Sequence, residues 1–113
     1  SPLAVGLLSG NYHPGTAPPA GSLWDARRPE FDRLMQGAPA QLLDSVRHLA
    51  QVRGITMPQL ALNWVLTQPN VSVAISGADT IPQLDDNLGA FGWSLNETEN
   101  ATLDQHRVEL TVW

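Results

Sequence analysis

"VSVAISGADTIPQLDDNL", residues 71–88, decides how the rest of the chain is read. Val71, Val73 and Ile75 alternate with small or polar residues over a run too short for a helix, so 71–76 is expected as a buried strand. Gly77 follows. Thr80-Ile81-Pro82-Gln83 then forms a T-x-x-Q capping box with proline in the first turn, opening a helix that runs through Ala90. A strand that leads through glycine into a helix start leaves unpaired N–H groups and partial positive charge at the junction, where an anionic ligand can meet them.

Upstream the same punctuation recurs. Thr56-Met57-Pro58-Gln59 is a second T-x-x-Q box, and its helix carries Leu60, Ala61, Trp64 and Val65 before Pro69 stops it. Before that, Pro39 sits in a first turn. Leu42, Leu43, Val46, Leu49 and Ala50 make one apolar face of a helix that Gly54 ends. Residues 11–39 hold Pro14-Gly15, Pro18-Pro19, Gly21 and Gly37-Ala38-Pro39, which predicts a long loop with at most a turn near Arg28 to Leu34. Trp24 and Phe31 are expected to pin that loop by packing, a ligand-facing role being the alternative. Residues 1–10 are small and apolar and end in Ser9-Gly10, as the tail of a strand followed by a turn does. Downstream, Asn96-Glu97-Thr98-Glu99 caps a last helix with Leu103 and Val108 facing inward. One strand cannot make a sheet, so the chain reads as part of an α/β domain. Its start at "SPLAVGLLSG", without Met, reads as cut from something longer.

Composition narrows the classes of function. A chain of 113 residues allows one domain, and its mean hydropathy of −0.13 is that of a soluble protein. Net charge is −5, there is no Lys, and the six cationic residues are Arg spread without a stripe, which disfavours a nucleic-acid partner. Without Cys there is no disulfide framework and no thiolate metal site. No apolar run approaches the roughly 18 residues of a membrane span, and no signal peptide opens the chain, so no membrane partner and a cytoplasmic location are expected.

No catalytic or metal-binding set announces itself. His13, His48 and His106 have no ligand spacing, and the last two lie on helical stretches as solvated or core-edge groups. Asp85-Asp86 is read as a solvated helix face before a cation site. Asn70-Val71-Ser72, Asn96-Glu97-Thr98 and Asn100-Ala101-Thr102 match the glycosylation pattern, which chance supplies often. On the helix opened by Thr80, however, Gln83, Asp86 and Asn87 fall at i, i+3 and i+4. Such a face can hydrogen-bond an adenine and its ribose, or stand as plain surface.

Read in order, "SPLAVGLLSGNY", "GSLW", "GITMPQLALNWVLTQPNVSVAISGA", "IPQLDDNLGAF" and "SLNETENATLD" resemble the C-terminal third of an aldo-keto reductase, over essentially the whole chain. The resemblance implies a (β/α)8 TIM barrel, α/β in class, of which residues 1–113 would be a partial barrel: the loop after strand 7, two helices, strand 8 and two C-terminal helices. It implies that Ser1, Pro2, Leu3, Ala4 and Gly6 cradle the pyrophosphate of a nicotinamide dinucleotide. Gly77, Asp79, Gln83, Asp86 and Asn87 would meet the adenosine 2′-phosphate and the adenine. The family often has Lys at Asn11, Arg at Leu23 and Ser or Arg at Asp79, so NADP, the family norm, is expected to be held more weakly here and NAD to be tolerated.

The implied function is the cofactor-binding segment of an NAD(P)(H)-dependent oxidoreductase that reduces aldehydes or ketones or oxidises sugars or alcohols. Its partners would be a small carbonyl or sugar substrate and the remaining N-terminal part of the same barrel. The family's catalytic Tyr, Lys, Asp and His lie on earlier strands, so this segment alone should be inactive. Two alternatives are a non-catalytic, cofactor-sensing barrel subunit and a stand-alone four-helix structural domain, the second disfavoured by the strand.

Overall fold

A computed structural model describes residues 1–106, and Val108, expected to face inward, lies outside the described residues. A 3₁₀ turn at Leu7–Ser9 leads into α1 (Leu23–Ala26), α2 (Arg28–Leu34), α3 (Gly37–Arg53), α4 (Met57–Leu66), α5 (Ile81–Leu88) and α6 (Glu97–Asp104). The core forms where α3 and α4 lie together. Leu43, Val46 and Ala50 of α3, at i, i+3 and i+7, face Met57 and Leu60 of α4. Leu7, Phe31, Leu34 and Met35 cover one flank, and Leu95 and Leu103 cover another. None of the helices among the described residues is long and apolar enough to cross a membrane.

Local chemistry sets the helix ends. Gly54 takes φ 68°, its N–H bonds back to Ala50 and Gln51, and the following Ile55 N–H also reaches the Ala50 carbonyl at 3.0 Å. Thr56 and Gln59, Thr80 and Gln83, and Asn96 and Glu99 each close a reciprocal capping box. Arg53 ties α6 to α3: it donates to Glu99 Oε1 and to the Ser94 carbonyl, each at 3.1 Å, and its guanidinium lies 5.0 Å from the Trp93 ring centroid. Asn63, buried on α4, donates to the carbonyls of Ala90 (3.0 Å) and Trp93 (2.8 Å) and so fixes the connection between α5 and α6.

Two expectations need correction. Residues 11–39 are more ordered than their Pro and Gly imply, for α1 and α2 lie within them. The overlooked signal is Ser22-Leu23-Trp24-Asp25. Ser22 Oγ accepts the Asp25 N–H, and Asp25 Oδ2 accepts the Gly21 N–H at 2.8 Å. Second, there is no strand among the described residues. Residues 71–78 contain no helix and pair with no strand, and Val73 and Ile75 are 72% and 85% exposed. The alternation at 71–76 encodes an extended backbone, but a strand exists only through ladder bonds to a neighbour, and no other described segment supplies one.

Leu60 has no exposed surface and sits at the centre of this packing. Leu60→Ala is expected to destabilise the fold by about 2–5 kcal/mol. Urea unfolding followed by circular dichroism should show a lower midpoint at an unchanged slope.

Candidate functional site

The turn that opens the chain is strained and is held from two sides. Ala4 and Val5 take φ of 49° and 56°, and Gly6 follows at 85°. Left-handed backbone costs on the order of 1–3 kcal/mol for a residue with a Cβ, and a β-branched residue adopts it least readily. Val5 is kept there by Ser1 Oγ, which accepts its N–H at 3.0 Å, and by Trp24 Nε1, which donates to its carbonyl at 2.9 Å. Trp24 is wholly buried, so of its two expected roles packing holds and a ligand-facing position does not. The amides of Ala4, Gly6 and Leu7 bond to the carbonyls of Ser1, Leu3 and Ala4. With these N–H groups closed within the turn, the hydroxyls are its more available donors.

Facing this turn stand residues 75–79 and the start of α5. Asn87 Nδ2 donates to Ser76 Oγ and to the Gly77 carbonyl, each at 3.3 Å, and so fastens the extended segment to the helix. Gln83 Oε1 accepts the N–H groups of Asp79 (2.7 Å) and Thr80 (3.2 Å), while Thr80 Oγ1 accepts the Gln83 N–H. Pro82 has none to give. Of the amides from Asp79 to Gln83, that of Ile81 alone lies outside the box. The expectation that unpaired N–H groups wait at this junction is therefore corrected: the capping box supplies its own acceptors.

Asp86 plays a part that sequence reasoning missed. Its Oδ2 accepts from Thr56 Oγ1 at 2.9 Å and its Oδ1 from Gln59 Nε2 at 3.1 Å, linking α5 to the capping box of α4. The available signal was the second end of the capping Gln. Gln59 Oε1 accepts the Thr56 N–H, which leaves the amide NH₂ free to reach across. Gly89 makes room for it, since a Cβ there would collide with the Gln59 carboxamide.

Between the two walls lies a cleft of about 810 Å³. Ser1, Pro2, Leu3 and Gly6 line one side, and Gly77, Asp79, Gln83, Asp86 and Asn87 line the other. Among the expected residues only Ala4 is absent from the lining; it packs against the core. Asn11 lines the cleft, whereas Leu23 is exposed and does not. Ser9, Tyr12 and Ser76 join the lining without having been anticipated. The hydroxyl oxygens of Ser1, Ser9 and Ser76 each accept a bond from the protein, which leaves their protons to donate. Among the described lining residues none is Lys or Arg, and the charged ones are Asp79 and Asp86. No group of three His, Asp or Glu among the described residues is placed to hold a metal ion. Neutral donors with carboxylate acceptors suit a ligand rich in hydroxyls with an exocyclic amine.

Comparison with known proteins bears on the family. The model of the Aldo/keto reductase family matches residues 1–108. The chain is 35% identical over 104 residues to chloroplastic pyridoxal reductase of Arabidopsis thaliana, covering 92% of the chain and 26% of that protein. It is 32% identical over 124 aligned positions to L-glyceraldehyde 3-phosphate reductase of Escherichia coli (strain K12), covering all of the chain and 34% of that protein. A probable voltage-gated potassium channel subunit beta of Arabidopsis thaliana is 33% identical over 97 residues, covering 80% of the chain and 28% of that protein. The chain thus spans about a quarter to a third of the length of these relatives.

The link through Asp86 makes a specific demand on Gly89. Gly89→Ala is expected to displace the Gln59 carboxamide and destabilise the protein by about 1–3 kcal/mol. In a Gln59→Ala background the same substitution should cost markedly less, and a double-mutant cycle by urea unfolding measures the difference.

Proposed function

The chain belongs to the aldo/keto reductase family, and from that premise we propose that its residues form the C-terminal, coenzyme-binding part of a (β/α)8-barrel oxidoreductase acting on small carbonyl compounds. The observation that supports this most is the convergence on one cleft of nearly all the residues expected to touch a nicotinamide dinucleotide. Its volume lies in the range of cofactor pockets. When bound, the coenzyme supplies the hydride exchanged with the carbonyl carbon.

In this reading the residues of the chain bind and orient. Ser1 and Ser9 offer hydroxyl protons to the diphosphate beside the strained turn. Gln83, through its free Nε2, and Asn87, through Oδ1, hold the adenine. Asp86 keeps α5 at the correct distance from α4. Proton transfer falls to residues outside this stretch, since the chain has no Lys to accompany its single Tyr, Tyr12.

The rest of the barrel is the partner this reading requires. Residues 71–78 pair with no strand among the described residues, and Ile81, Leu84, Leu88 and Phe91 leave an apolar face exposed beside them. Neighbouring parallel strands and the helix packed on them would cover both. A non-catalytic, coenzyme-sensing subunit is not favoured, because the two relatives named as reductases match more of the chain than the channel subunit does.

Titrating the complete barrel with NADH and NADPH, followed by quenching of tryptophan fluorescence, tests the reading. Binding of at least one coenzyme is expected, with Asn87→Ala raising its Kd about tenfold. The 113-residue chain alone should oxidise neither coenzyme in the presence of an aldehyde. No quenching with either coenzyme would sink the proposal.

A further inference from the structure

We propose that the adenosine end of this cleft selects a ribose whose 2′-hydroxyl is free, holding NAD(H) in preference to NADP(H), with Asp79 as the residue that sets the preference. The inference rests on the coenzyme reading above and adds to it a choice between the two coenzymes.

A 2′-phosphate carries close to two negative charges at neutral pH and needs cations or several N–H donors around it. Neither is offered here. Among the described lining residues the charged side chains are Asp79 and Asp86, and both are carboxylates. The usual substitute for a cation is a helix N-terminus, whose free amides point at the anion. At α5 that substitute is withdrawn, because the amides of Asp79, Thr80 and Gln83 are engaged within the capping box and Pro82 lacks one. The Ile81 N–H, Gln83 Nε2 and the Ser76 hydroxyl remain, neutral donors for a dianion.

The Asp86 carboxylate cannot simply move aside. Asp86 is fixed through both oxygens to Thr56 and Gln59, and rotating it away breaks both bonds. Asp79 stands one residue before the N-cap, and its backbone is clamped by the 2.7 Å bond from its N–H to Gln83 Oε1. Its side chain is exposed on the cleft wall. A hydroxyl reverses the balance: it donates to a carboxylate in a charge-assisted bond and has no charge to be repelled. The wall that opposes a phosphate is therefore one that accepts from a ribose hydroxyl.

Titration of the complete barrel with each coenzyme, by fluorescence quenching and by calorimetry, tests this without relying on turnover. NADH is expected to bind at least about tenfold more tightly than NADPH. Asp79→Ser should narrow the gap and Asp79→Arg should close or invert it, each at an unchanged melting temperature because the side chain is exposed. Since repulsion between charges is screened, the wild-type preference should also shrink as salt rises from about 0.05 to about 0.5 M. Equal or tighter binding of NADPH by the wild type overturns the proposal. So does a ratio that Asp79→Ser and Asp79→Arg both leave within about twofold of wild type. If neither coenzyme binds, the coenzyme reading fails and this inference fails with it; if both bind but the ratio is wrong, only the inference falls.

Discussion

The carboxylate of Asp86, bonded to Thr56 and Gln59, holds the second wall of the cleft in place. α5 buries none of its side chains, so the hydrophobic packing that seats most amphipathic helices is missing from its attachment among the described residues. Directional bonds take over. Asp86 on α5 accepts from both side chains of the capping box that opens α4. A hydrogen bond at such a partly exposed site contributes about 1 kcal/mol, which is modest alone but sufficient to choose one orientation of a short helix over others. Gly89 is part of the same device, because the Gln59 carboxamide crosses where a side chain would otherwise be.

The first wall is built on the opposite principle. Its left-handed residues store strain, and burial secures them: Trp24, with no exposed surface, delivers its indole N–H to the Val5 carbonyl. Tyr12 is positioned by Arg47 of α3, which donates to its carbonyl, and by the edge of Phe31 at 5.7 Å. Both walls are thereby referred to the α3–α4 pair, where the core lies. The width of the cleft is then a property of that pair, and a ligand between the walls meets groups whose spacing the core dictates.

How much of this was legible in the sequence depends on the range of the interaction. Capping boxes are local, four residues from end to end, and Thr56/Gln59, Thr80/Gln83 and Asn96/Glu99 all form as their spacing requires. The apolar period that writes the α3 face is local too. Asp86 was legible as a polar face residue but not as a link, since its partners are 27 and 30 positions away and no period connects them. The strand at 71–76 failed for the complementary reason. Alternation specifies which faces are apolar, but ladder partners must come from elsewhere. The short helices in 11–39 were hidden by their Pro and Gly, although Ser22 and Asp25 carried the signal. For the cleft, the resemblance located the residues, and the geometry alone showed that their amides were already engaged.

Residues 71–76 also bear on how the chain behaves among its own copies. V-S-V-A-I-S has β-branched residues at alternate positions, no charge and no proline, and it pairs with no strand among the described residues. A segment of that kind readily recruits an identical neighbour. A partner laid against it would therefore work as a chaperoning lid as well as a structural companion. With no such lid, this stretch is the point from which ordered aggregates would grow.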